Sequence, residues 1–106
     1  MKRKDDTWIR IPTKLLCSDK VSTSAKIVYS YMLCKHQYFK SLGKTYFESQ
    51  DSIAGACSLS RKTVNESISA LQKLGYLVAV QKTKTSLHYN VKDVFDVYTK
   101  DTQEPF

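Results

Sequence analysis

The segment Ser49–Leu77, SQDSIAGACSLSRKTVNESISALQKLGYL, constrains the fold more than any other part of the chain. Ser49 and Ser60 each stand just before a helical pattern, and a serine there caps a helix because its hydroxyl oxygen accepts from a free N–H of the first turn. Ile53, Ala54 and Cys57 mark the inward side of a helix of about eight residues, with Asp51 in its first turn, where the helix dipole favours negative charge. Small residues at Ala54 and Gly55 would let a second helix cross closely. Val64, Ile68, Leu71 and Leu74 give one apolar face to a helix from Arg61 to Leu74, and Gly75 suits the left-handed position that ends it. Cys57-Ser58-Leu59 is then the turn, with Leu59 plugging the core between the two helices. Two helices joined this tightly and followed by β-forming residues predict a helix-turn-helix that runs into a strand hairpin.

The flanking sequence supplies the remaining elements. Ser22 is placed to cap a helix from Thr23 to about Phe39. Ala25, Val28 and Met32 fall on one side of it, with Ile27, Tyr31, Cys34 and Tyr38 beside them, and Lys26, Ser30 and Gln37 lie opposite. So wide an apolar stripe predicts a central core helix. Ahead of it, Trp8-Ile9-Arg10-Ile11 leads into Pro12, which suits the start of one short turn over Thr13–Cys17. Thr45-Tyr46-Phe47 is a short strand candidate. Tyr76–Lys82 and Leu87–Val91 read as strands, joined by a loop at Thr83–Ser86. Asp93–Tyr98 fits either a short closing helix or an extended tail. Residues 1–7 read as a flexible basic arm, 8–98 as one domain and 99–106 as a flexible tail. The expected fold is mainly α with a small antiparallel β-sheet, a winged helix-turn-helix.

Charge narrows the partner. Seventeen Lys and Arg oppose ten Asp and Glu, a net charge of +7, and the pI is about 9.4, a footprint of nucleic-acid binding. No apolar run approaches the roughly 20 residues of a membrane span, and no apolar stretch follows the basic start as in a signal peptide, so the expected compartment is the cytoplasm. Cys17, Cys34 and Cys57 are odd in number and lack metal-ligand spacing, which predicts buried or half-buried free thiols in a reducing environment. There is no GxxxxGK[ST] loop and no HExxH, and His36 and His88 are isolated. Neither enzymatic activity, a cofactor nor a metal is expected.

The helix Arg61–Leu74 carries the chemistry. At 100° per residue, a core face of Val64, Ile68 and Leu71 turns Lys62, Glu66, Ser69 and Lys73 outward and leaves Asn65 and Gln72 on one flank. In a helix-turn-helix the start of the second helix enters the major groove. Arg bonds the O6 and N7 of guanine together, and Asn does the same for the N6 and N7 of adenine. Arg61, Lys62 and Asn65 are therefore the candidate base readers. Ser60, Thr63, Ser69, Lys73, Lys82 and Lys84 are the candidate phosphate contacts, the last two flanking the hairpin tip and the first two beside a helix N-terminus. The opposing reading makes the same cations a solvated surface.

WIRIPTKLL, STSAKIVYSYML and YFESQDSIAGACSLSRKTVNESISALQKLGYL resemble the helix-turn-helix domains of plasmid and phage replication proteins and related small DNA-binding regulators. The likeness rests on Ile11-Pro12, Ala25-Lys26-Ile27-Val28-Tyr29, Phe47-Glu48-Ser49-Gln50 and Ser60-Arg61-Lys62-Thr63-Val64, and covers about residues 8 to 91. Two positions depart from that pattern. Glu48 stands where the family often has Pro, and Ser58 where many such turns carry Gly, so a left-handed Ser58 would cost about 1 kcal/mol. Replication proteins of this kind usually carry a further domain, for which 106 residues leave no room. The expectation is a sequence-specific double-stranded DNA-binding protein, a small transcriptional regulator of a plasmid or phage. It would act as a homodimer through its first and last segments, where Trp8, Phe95 and Tyr98 need cover. Two alternatives stay open. One is a plasmid partition or replication-origin binding adaptor with a protein partner in that machinery, and the other is a winged-helix protein–protein interaction module.

Overall fold

A computed structural model of the chain describes residues 9–81 and 87–98. Among these residues four helices precede a hairpin: α1 (Thr13–Leu16), α2 (Thr23–Ser41), α3 (Gln50–Cys57), α4 (Arg61–Lys73), β1 (Leu77–Gln81) and β2 (Leu87–Val91). The helix starts follow from the sequence. The hydroxyls of Ser22, Ser49 and Ser60 accept from the backbone N–H groups of Ala25, Ser52 and Thr63, each at 3.1 Å, so each satisfies one of the donors that a helix leaves unpaired at its start.

The helix ends are equally local in origin. Gly75 has φ +80°. Around it the N–H of Tyr76 bonds the Leu71 carbonyl at 2.9 Å and that of Gly75 the Gln72 carbonyl at 3.0 Å. These two bonds cap the last turn of α4 and turn the chain into β1. Ser58 closes α3 with φ 57°, and the N–H of Leu59 reaches back to the Ala54 carbonyl at 3.0 Å. The left-handed turn between α3 and α4 is thus built on serine, against the steric preference that usually selects glycine.

β1 and β2 pair antiparallel, with Leu77 opposite Val91, Ala79 opposite Tyr89 and Val80 opposite His88. Alternation along the strands puts Leu77, Tyr89 and Val91 inward and leaves Val78, Val80 and Asn90 exposed. The expected strand at Thr45–Phe47 is reduced to a single bridge between Phe47 and His88, reinforced where the Tyr89 N–H bonds the Tyr46 carbonyl at 2.9 Å. On the other edge the Gln72 side chain accepts from the Ala79 N–H at 3.2 Å, so α4 and the hairpin are tied directly. The fold is mainly α with a small antiparallel β-sheet, a winged helix-turn-helix.

The core gathers Leu15, Val28, Tyr29, Met32, Leu33, Tyr46, Ile53, Val64, Ile68, Leu71, Leu77 and Tyr89 around α2. Because α1, α3, α4 and β2 all pack on that helix, its buried arc is displaced from the stripe read in the sequence. Ser30 is buried at 2% exposure, although its polarity places it outside, whereas Ile27 and Tyr38 are exposed. Leu74 is also exposed, because α4 ends at Lys73 and the chain has begun to turn. Gly55 faces open space and takes no part in the helix crossing, where Ala54 is buried instead. Cys34 and Cys57 are half-buried as expected, but Cys17 is exposed.

Asp93–Tyr98 forms turns, neither a helix nor an extended tail. The Asp93 carboxylate accepts from the N–H groups of Val97 and Tyr98 at 2.6 and 2.8 Å. Phe95 packs edge-on to Tyr29 and Tyr76, and the Arg10 guanidinium lies 5.4 Å from the Tyr98 ring centre. Phe95 and Tyr98 therefore find cover within the chain rather than waiting for a second copy. Trp8 and the loop Thr83–Ser86 lie outside the described residues. Among those residues, no helix is long and apolar enough to cross a membrane.

Candidate nucleic-acid interface

α4 is anchored by Val64, Ser67, Ile68 and Leu71, all buried. Their spacing of three, four and seven is that of one helical face. Ser67 belongs to it by position although its hydroxyl hides it from a hydropathy reading. Opposite this face, Lys62, Glu66, Ser69 and Lys73 are all exposed, on a stripe of four, three and four residues. Lys73 stands about 16 Å along the axis from Lys62, at 1.5 Å per residue, so the stripe is long enough to follow a groove from base edge to backbone.

Arg61, Asn65 and Gln72 occupy a flank roughly a quarter turn from that stripe. Here the structure adds partners that the sequence reading did not supply. One guanidinium nitrogen of Arg61, Nη1, lies 3.4 Å from Oδ2 of Asp51, with both side chains about two-thirds exposed or more. The Gln50 amide donates to Oδ1 of Asn65 at 3.3 Å. Two of the three candidate base readers are thus held by the first two residues of α3. No local sequence signal supplies these pairs: the turn joins the end of α3 to the start of α4, and the packing angle between the two helices decides that Gln50 and Asp51 meet α4. Lys62 stands apart from this cluster on the outward stripe.

The phosphate candidates divide into described and undescribed. Ser60 and Thr63 are engaged with each other: the Ser60 hydroxyl donates to Oγ1 of Thr63 at 2.9 Å while accepting from its N–H. That arrangement leaves the Thr63 hydroxyl proton for an outside acceptor. Ser69 and Lys73 are exposed on the stripe. Lys82 and Lys84 lie outside the described residues. Along α4 three cations, Arg61, Lys62 and Lys73, face one anion, Glu66, so the helix itself is cationic.

Glu48, the departure from the expected Pro, organises the approach to α3. Its carboxylate accepts from the hydroxyls of Tyr46 and Ser52 at 2.6 Å each and of Tyr31 at 2.8 Å, so one side chain joins α2, the bridging segment and the first turn of α3. Burial, and then the bond to Glu48, push both phenols well above the ordinary tyrosine range, so they stay protonated as donors. A proline at this position could accept none of these bonds. On the hairpin, His88 is half-buried and stacks on Phe47 with ring centres 5.7 Å apart; it is a packing residue rather than a free surface histidine.

Comparison with known proteins agrees with this architecture. No curated protein sequence gives a significant match. Among solved structures, the chain is similar in fold to a Rep–DNA complex, at TM-score 0.64 and 11% identity, covering 96% of this chain and 93% of that one. It is also similar to the N-terminal domain of a DNA-binding protein, at TM-score 0.64 and 13% identity, with 95% and 92% covered. A third is an MDR initiator, at TM-score 0.59 and 14% identity, with 96% and 93% covered. The model of a helix-turn-helix domain family matches residues 21–77, which include α2, α3, α4 and the entry to β1. With more than half of its length matched and both helices of the motif in place, the chain belongs to that helix-turn-helix domain family.

Proposed function

We propose that the chain binds double-stranded DNA sequence-specifically, with α4 in the major groove, as a small transcriptional regulator of a plasmid or phage. The observation that carries this reading is the build of α4: one face is buried, the other is exposed and cationic, and Arg61, Lys62 and Asn65 are all exposed in the first turns after its serine cap. Arg61 and Asn65 carry the side chains that recognise guanine and adenine edges. Thr63, Ser69 and Lys73 hold phosphate, and Lys82 and Lys84, which follow β1 in sequence, add further phosphate contacts. A homodimer on a two-fold symmetric site supplies the second half-site that one helix lacks.

The fold neighbours described as a Rep–DNA complex and an initiator favour a second reading, in which the same surface binds a replication origin. The two readings are separated by the DNA selected from a random-sequence pool. A regulator recovers one symmetric site, and an origin binder recovers directly repeated sites. For either, affinity falls steeply with salt as counterions leave the phosphates, and Lys73→Ala lowers the salt slope by about one ion. DNA binding unchanged in Arg61→Ala and Lys62→Ala would move the interface off this face, and tight binding to a protein with no affinity for duplex DNA would instead make the domain a protein-interaction module.

A further inference from the structure

The pairs Asp51–Arg61 and Gln50–Asn65 call for a physical explanation. Asp51 places a carboxylate 3.4 Å from the guanidinium of Arg61 on the face assigned to a polyanion. An ion pair this exposed contributes little to folding stability, and its negative charge opposes binding to any phosphate backbone. What the pair does fix is geometry. Arginine offers five N–H donors in a planar fork, so one nitrogen directed at Asp51 sets the plane of the fork and leaves other N–H groups for the O6 and N7 of guanine. Asn65 is in the same position: its Oδ1 accepts from Gln50, and its amide protons and the second lone pair of Oδ1 remain for the N7 and N6 of adenine. The partners are themselves held, because Ser49 caps α3 and Glu48 ties its first turn to α2 through Ser52 and Tyr31.

We infer that Asp51 and Gln50 are specificity-determining positioning residues, holding Arg61 and Asn65 toward base edges and away from phosphates, so that DNA of the wrong sequence is bound less well. The inference rests on α4 being the reading helix. Asp51 acts in two ways on different DNA. On the right site its orienting effect is returned as a ready-made base contact. On other DNA only its repulsion is felt.

The test uses the full chain and two duplexes of equal length, one recovered by selection from random-sequence DNA and one of scrambled sequence. Asp51→Asn keeps the shape and removes the charge. The scrambled duplex should then bind several-fold more tightly, and the ratio of selected to scrambled affinity should fall about tenfold, the size of one base contact. Gln50→Ala should lower the ratio by a smaller factor, confined to the base pair read by Asn65. In an Arg61→Ala background, Asp51→Asn should leave the ratio unchanged, which a general loss of structure would not do. An unchanged ratio in Asp51→Asn, or equal gains on both duplexes, overturns the inference. If Arg61→Ala and Asn65→Ala collapse the ratio and Asp51→Asn does not, only the positioning role falls. If those two variants leave the ratio intact, the reading of α4 falls with it.

Discussion

The helices α2 and α4 pack on each other but treat their polar side chains in opposite ways. α2 is covered by α1, α3, α4 and β2, and the hydroxyls of Tyr29 and Tyr31 on it are used inside the fold, whereas the buried Ser30 hydroxyl has no hydrogen-bond partner among the described residues. Tyr29 donates to the Lys92 carbonyl at 2.6 Å and accepts from the Val94 N–H at 3.3 Å, and Tyr31 donates to Glu48. α4 buries one face and turns Lys62, Glu66, Ser69 and Lys73 to solvent. A helix whose tyrosine hydroxyls are spent on bonds to neighbouring segments is a scaffold, since a buried phenol left without its partner would cost more than the bond gains. A helix whose polar groups are left outside, on a rigidly anchored backbone, is available to a partner. The difference teaches where stability and binding should separate under mutation.

The largest effect should come from the buried side of α4. Leu71→Ala removes a fully buried side chain and should cost about 2–5 kcal/mol of stability, measured by denaturant unfolding. DNA binding by the molecules that remain folded should be little altered. On the exposed side the pattern should invert. Arg61→Ala should cost roughly 1–3 kcal/mol of binding to the selected duplex, with a melting temperature close to that of the unaltered chain, because its ion pair is exposed. If both variants lose stability and binding together, the two faces of α4 are not separable and the contrast fails.

Alkaline pH probes α2. Burial pushes the phenol of Tyr29 up to about 12 from its ordinary value of 10, so the fold favours the protonated form. The contribution is intact below pH 10 and is lost as pH rises through about 12. Unfolding followed by circular dichroism should show declining stability in that window, and Tyr29→Phe should show less of the decline. A flat profile there would mean that Tyr29 ionises freely without disturbing α2. The smallest effect concerns the turn between α3 and α4. Ser58→Gly relieves a left-handed serine but adds freedom to the unfolded chain, so stability should rise by at most about 1 kcal/mol. Loss of stability would show that Ser58 contributes through its side chain.

How much was legible in the sequence depended on how far apart the interacting groups are. The three serine caps, the eight residues of α3, the glycine stop after α4 and the face of Val64, Ile68 and Leu71 were all readable, because each depends on residues within about two turns of one another. Ser67 shares the spacing of that face, and only its hydroxyl hides it from hydropathy. The buried arc of α2 was not readable: the burial of Ser30 and the exposure of Ile27 and Tyr38 follow from which neighbours cover the helix. The same is true of Glu48, which one chain position marks only as an absent proline, yet which joins hydroxyls from three segments.

By itself, then, the amino-acid order determined where helices begin and stop and which side of α4 carries charge, since short-range hydrogen bonding and the 3.6-residue repeat decide both. Tertiary structure alone decided what stands beside that charge. Arg61 meets Asp51 and Asn65 meets Gln50 across sequence separations of 10 and 15 residues, and Arg10 meets Val97 across 87. The physical reason is that the direction of a helix after a turn is set by packing against the rest of the core, so which side chains it brings together is known only once that packing is formed.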